Sequence, residues 1–426
     1  MKPLNLLCSF LLILILSGPA AIAMDQSLRT DINPALRYYQ AFLVAPDVSE
    51  ADHDYLATNS LWSQVLPRKF GEIVSRYDSE FKLVRLAANS TAPCDWGVDM
   101  AEGPATLLPQ LARCKAVMIA ARYRVSWDLQ HQRQAEARDD LLAAFTLARN
   151  VSRDGTLISV LVQIAAEAIC CDTIAENFGK FRPEILNELV QGIDAAPARG
   201  TVAASIAFEK ISFHDWLAGK ILELQKANPG DDAKVMAELR GLMPGFEETE
   251  HTDQTLVQSA LWEQLTKTAG NTSDGILKVL RDESQAYDRL AEVMALPFSE
   301  FDAQAKQFGA ELNRPSSPLL AQAFPAYLKS RQREFKIQVW LAMLHTAVEY
   351  KLHGDPGLLN ISDPCGQGPF AFQRFVLDGI DRGFQLKSSF EGSGFPETMI
   401  FVERPGRPFF IDGPHVGEAR SLPKAQ

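Results

Sequence analysis

The chain has 426 residues, 46% hydrophobic and 22% charged, with 53 acidic against 42 basic side chains and a net charge of −11. That balance argues against binding nucleic acid or an anionic membrane surface, where clustered Lys and Arg are needed. The length buries ample core without disulfide or metal staples, and on size alone holds one large domain or two or three ordinary ones.

Lys2 precedes the apolar run 4–16, and "SGPAAIA" closes that run with small residues, which is a signal peptide pattern. Cleavage after Ala23 satisfies the A-x-A preference through Ala21 and Ala23. Residues 1–23 are therefore expected to leave, and the protein to be exported to the periplasm or beyond, one charge unit more negative without Lys2. Spanning a bilayer takes about 20 mostly apolar residues. Residues 4–23 reach that only by counting Ser17, Gly18 and Pro19, so membrane contact is expected only if this segment stays uncleaved. Beyond Cys8 stand Cys94, Cys114, Cys170, Cys171 and Cys365, and an odd number in an exported chain leaves at least one thiol unpaired. Cys94 in "APCDWG" and Cys365 in "DPCGQG" are flanked by turn formers, which makes Cys94–Cys365 the candidate disulfide. The alternative is five buried thiols acting as small hydrophobes.

From Asn33 the apolar pattern takes the helical period, with Pro34 suited to a first helical position. Ser49, three before Asp52, starts a second helix with an acidic variant of the capping box. Residues 108–130 and "QRQAEARDDLLAAFTLARN" form an antiparallel pair around His131, in the manner of a tetratricopeptide-like hairpin, although no second copy recurs at a fixed period. In "TLISVLVQIAAEAICC" only Ser159, Gln163 and Glu167 interrupt the apolar and small residues. Four apart, they make one narrow polar stripe on what reads as the central buried helix. Further helices are predicted over 183–193, 199–226, 232–240, 255–268, 273–294 and 299–312, then a long one ending near 352. After "HGDPG" the period drops to 2, and "FAFQRFVL", "GFQLKSS" and "ETMIFVER" read as three short strands. The expected fold is mainly α, a multi-helix array or bundle over 24–358, with a small antiparallel β segment over 359–426 packed on it.

Four stretches, "NPALRYYQAFLVAPDVSEAD", "PCDWGVDMAEGPATLLPQLARCKAV", "ARDDLLAAFTLARNVSRDGTLISVLVQIAAEAI" and "DPCGQGPFAFQRF", together resemble a family of exported, uncharacterised, mainly helical proteins of planctomycete and verrucomicrobial bacteria. The resemblance implies export and a helical fold, and carries no activity. The chain departs from that pattern at Gln110, where relatives carry His. The closing segment is also similar to the tail of type II secretion pseudopilins, but those begin with a short leader and a retained N-terminal helix.

Chemistry has few places to sit. The loop 94–104, "CDWGVDMAEGP", gathers Asp95, Asp99 and Glu102 around Trp96 and is the candidate binding loop. As an acid–base pair its carboxylates would make a hydrolase, which requires an enclosed pocket that sets their protonation apart. The plainer reading is that Asp95 turns the chain, Trp96 packs and Gly97 takes a positive φ. His345, Glu349 and His353, four apart on the last helix, are the weaker candidate, as metal ligands. His214 beside Asp215 reads as a buried or surface histidine. No H-E-x-x-H, G-x-S-x-G, Walker A, dinucleotide fingerprint or paired C-x-x-C occurs, and no cofactor is expected. These features point to a scaffold or binding protein of the cell envelope that holds a protein or peptide, with the hydrolase as the alternative.

Overall fold

The computed structural model describes residues 31–62, 65–242, 262–312, 317–392, 394–404, 409–410 and 420–421. The expected leader over 1–23 and the expected helix over 255–268 up to residue 261 lie outside the described residues. The chain is mainly helical with a small antiparallel sheet at its C-terminal end, as the change of hydrophobic period predicts.

Helix α1 (Pro34–Val44) starts at Asn33, whose side chain accepts from the Ala35 amide, with Pro34 at the first helical position. Helix α2 (Glu50–Trp62) starts at Ser49, whose hydroxyl accepts from the Asp52 N–H at 3.2 Å. Two shorter helices, α3 (Arg68–Val74) and α4 (Asp78–Ala88), follow, and α4 packs on α1. Helices α5 (Gln110–Gln130) and α6 (Gln134–Val151) form the hairpin expected around His131. Gly155, at φ 83°, ends the turn after α6, and Thr156 caps α7 (Leu157–Glu176). Helix α7 lies against both α5 and α6, while α8 (Pro183–Ala195) lies against α6.

The predicted helix over 199–226 is continuous but irregular. It is built of α9 (Val202–Glu209), a π-helical turn (Lys210–Asp215) and α10 (Trp216–Ala227). Helix α11 (Asp232–Leu242), the helical stretch 262–268, α12 (Ser273–Ala295) and α13 (Phe298–Leu312) lead to α14 (Pro318–His353), which crosses α7, α8 and α13. The main core runs through α1, α4 to α9, α12 to α14 and the sheet. A second cluster around Leu217, Ile221, Leu239, Leu265 and Ile276 holds α10 and α11 onto α12, and a third around Leu56, Phe70 and Tyr123 holds the N-terminal helices to α5.

Strands β1 (Ala371–Leu377), β2 (Ile380–Lys387) and β3 (Thr398–Val402) pair antiparallel in the order β1-β2-β3. Asp378 and Gly379, both at positive φ, make the two-residue hairpin turn between β1 and β2. The apolar face of the sheet joins the main core through Phe384 and Phe401, which meet Phe178 at 5.6 and 5.2 Å between ring centroids, and through Phe372 on Tyr350. The "DPCGQG" turn is tied to the far end of β2. Asp363 accepts from the Cys365 amide with one carboxylate oxygen, and from the Ser388 hydroxyl and the Ser389 amide and hydroxyl with the other. Two further short strands, β4 (Phe409–Phe410) and β5 (Arg420–Ser421), pair with each other.

Candidate functional site

The loop 94–104 is built as a turn scaffold. Asp95 accepts from the Gly97 amide and Asp99 from the Ala101 amide, each at 2.9 Å, so both carboxylates shape their own turns. Asp95, Asp99 and Glu102 are all exposed. Trp96 is buried, stacks on Tyr38 and donates from Nε1 to the Asn150 carbonyl oxygen at 2.8 Å. Gly97 takes a positive φ. Gly103 does too, with the Trp216 ring over it where a Cβ would stand 2.5 Å from the indole. Gln110 is buried and donates to Asp154 at 3.1 Å.

The Cys94–Cys365 disulfide is not formed. All five cysteines from Cys94 onward are free thiols, with Cys94 beside Ala35 at the start of α1 and Cys365 in the Asp363 turn after α14. Burial pushes both thiols up to about 12. The row on α14 does not converge either. His345 faces Asp194 of α8 at 3.2 Å, whereas Glu349 accepts from Asn360 at 2.6 Å and stands 3.8 Å from His353. Among the described residues no group of three or more His, Cys, Asp or Glu side chains could hold a metal ion. His214 is buried in the π-helical turn, with Nδ1 3.1 Å from Asp215 and Nε2 on the Leu280 carbonyl oxygen.

What the fold does single out is α7. Its polar stripe points inward: Ser159, Gln163 and Glu167 are fully buried. Ser159 donates to Asp154, and Gln163 accepts from the Ser152 hydroxyl and the Gly200 amide. Glu167 lies between Arg149 at 2.6 Å and Arg199 at 2.9 Å. Burial pushes its carboxyl up, and the two guanidinium groups oppose that. These bonds tie α7 to the turn after α6 and to the turn before α9, which explains polar atoms deep in an apolar helix.

The opposite side of α7 is apolar and open. Ala165 and Ile158 are exposed, and Leu161, Val162, Ala168 and Ile169 are half-buried beside them. At 3.6 residues per turn these six share one face, and Gln163 and Glu167 lie within about 20° of the side opposite Ala165. Helix α7 therefore carries its hydrogen-bonding groups inside and an apolar lane outside, the reverse of a surface helix. By composition it is the one helix among the described residues long and apolar enough to cross a bilayer, yet it lies within the fold with both flanks packed.

Two walls flank the lane. On one side α5 runs in the same direction as α7, since Gln110 meets Asp154 at one end and Arg122 meets Glu176 at the other. On the other side lies α14, whose Lys336 sits over the Trp340 ring and pairs at 3.0 Å with Glu397, just before β3. The lane ends one turn before Glu176, at Asp172. Arg122 donates to both oxygens of Glu176, at 2.7 and 2.8 Å. Asp172 is half-buried, and among the described residues no hydrogen bond or ion pair reaches it. Burial pushes its carboxyl up to about 7 and neighbouring Glu176 adds to the shift, while Arg122 and Lys336 oppose it.

No family model, curated protein or solved structure matches the chain. The geometry of α7 and its walls is thus the observation from which a function is argued. Sequence reasoning located the polar stripe but not the lane behind it. The available signal was the pair Asp172 and Glu176, one turn apart at the end of an apolar run.

Proposed function

We propose that the chain is an exported helical scaffold of the cell envelope that holds a protein or peptide partner along the open face of α7. The observation that carries this reading is the inverted helix. A lane from Ile158 to Ile169, about 16 Å long at 1.5 Å per residue, faces outward between α5 and α14 while the helix's polar groups are held inside. Exposed contiguous apolar surface bounded by polar residues is characteristic of interaction sites. Export is inferred from the leader pattern over 1–23 and from the resemblance noted above. The exposure of Asp95, Asp99 and Glu102, and the use of the two aspartates as turn formers, favour binding over hydrolysis at that loop.

A photo-crosslinking amino acid placed at Ala165 or Ile158 of the protein in its native envelope tests the reading. The expected result is a discrete protein adduct from both positions and none from the exposed control Glu223 on α10. Equal labelling from all three overturns it. N-terminal sequencing of the secreted form checks that it begins at Met24.

A further inference from the structure

The lane has a chemical polarity. At its C-terminal end three carboxylates, those of Asp172, Glu176 and Glu397, stand near Arg122 and Lys336. Glu176 is held by both contacts from Arg122, and Glu397 takes Lys336 and the Trp340 indole N–H. Asp172 is the acid left over, half-buried at the end of an apolar strip with nothing donating to it among the described residues. Arg122 and Lys336 stand near enough to oppose the effect of burial on it but make no hydrogen bond or ion pair with it. A carboxylate withdrawn from water without a donor is costly, and a cation brought to it lowers that cost.

We infer that the lane takes an apolar protein segment carrying one basic side chain, whose ammonium or guanidinium group pairs with Asp172 while its aliphatic neighbours cover Ile158, Leu161, Ala165 and Ile169. This rests on the binding reading of the same face. Charge complementarity selects this occupant. An acyl chain would cover the lane and leave Asp172 buried and unpaired, and an anionic headgroup would meet carboxylates. A second copy in two-fold contact would set Asp172 against either its own counterpart or the apolar Ile158 end. Only a partner with a positive group beside an apolar run satisfies both parts of the surface.

The test uses the chain from Met24 onward and an immobilised library of random linear dodecapeptides as probe. A selected peptide is then measured by fluorescence anisotropy against the wild type, Asp172→Asn and Ala165→Arg, beside the same peptide with its basic residue changed to Gln. The selected peptides should combine aliphatic residues with Lys or Arg. Asp172→Asn should weaken the basic peptide by about tenfold and leave the Gln peptide unchanged, and Ala165→Arg should abolish both. If Ala165→Arg abolishes binding but Asp172→Asn treats the two peptides alike, this inference fails and the groove stands. If no peptide binds in a way sensitive to Ala165→Arg, both readings fail. A dimer, or binding to phosphatidylcholine vesicles, that Ala165→Arg removes and peptides do not displace makes the occupant a second copy or a lipid, and overturns the inference.

Discussion

The Gly179 amide donates to the Val402 carbonyl oxygen at 2.8 Å, and a Cβ on Gly179 would stand 2.1 Å from the Glu403 carbonyl oxygen. Helix α7 thus delivers the chain, three residues past its end, against the backbone of the sheet's edge strand. The neighbouring atoms are main chain and cannot rotate away. Gly179→Ala should therefore force the sheet off its seat, at about 1–3 kcal/mol of stability. Urea unfolding measures the loss, and hydrogen exchange should show it concentrated in 398–402. Unchanged protection there means that Phe178, Phe384 and Phe401 alone position the sheet.

The two sides of α7 should respond to substitution in opposite ways. Glu167→Gln removes the charge between Arg149 and Arg199 inside the core and leaves two buried guanidinium groups under-compensated, so a loss of about 3–5 kcal/mol is expected. Ala165→Arg adds a long charged side chain on the exposed face and should change stability by less than about 0.5 kcal/mol. Chemical denaturation of both variants checks the assignment of inside and outside. A large loss from Ala165→Arg would place that face in the core.

How far the sequence could be read follows from the same helix. Spacing shows which residues share a face, so Ser159, Gln163 and Glu167 are recognisable as one stripe. It does not show which face turns inward when most other positions are apolar. That is decided by partners remote along the chain, Arg149 and Arg199 for Glu167 and Ser152 and Gly200 for Gln163, brought together only by folding. Local signals carried further. The helix start at Pro34, the Ser49 cap and the change to strands after α14 rest on short-range hydrogen bonds and φ preferences or on local periodicity, and all three form. The π-helical turn at Lys210–Asp215 contains no Gly or Pro to announce it. Cys94 and Cys365 share turn-forming neighbours, yet both are free thiols.

Trp96 and the aspartates around it should separate cleanly by energy. Trp96→Ala removes a buried indole stacked between Tyr38 and Phe42 and its bond to Asn150, a loss of about 3–5 kcal/mol. Asp95→Ala and Asp99→Ala each remove one exposed side-chain bond to a turn amide, worth about 0.5–1.5 kcal/mol. Asn at either position keeps the acceptor oxygen and should restore the wild-type stability. Thermal melts of the five variants test this ordering, and a failure of Asn to rescue would mean that the charge itself has a role in the loop.

Glu283 gives the fold a defined pH response. Its carboxylate is fully buried and accepts from the Leu319 amide at 3.0 Å at the start of α14. Burial pushes it up to about 7, although the backbone N–H groups of Leu319 and Leu320 oppose that shift. A glutamate in the unfolded chain titrates near about 4.3. Between those values the folded protein holds a proton that the unfolded chain has released, so this group's contribution is complete below the unfolded value and is lost as pH rises through about 7. Glu283→Gln keeps an oxygen for Leu319 and removes the titration. Relative to the wild type, the variant should therefore gain stability from pH 5 to about pH 7 and level off above it, as read by urea unfolding at unit intervals from pH 5 to pH 8. A difference that stays constant across that range would show that Glu283 keeps the same charge in both states.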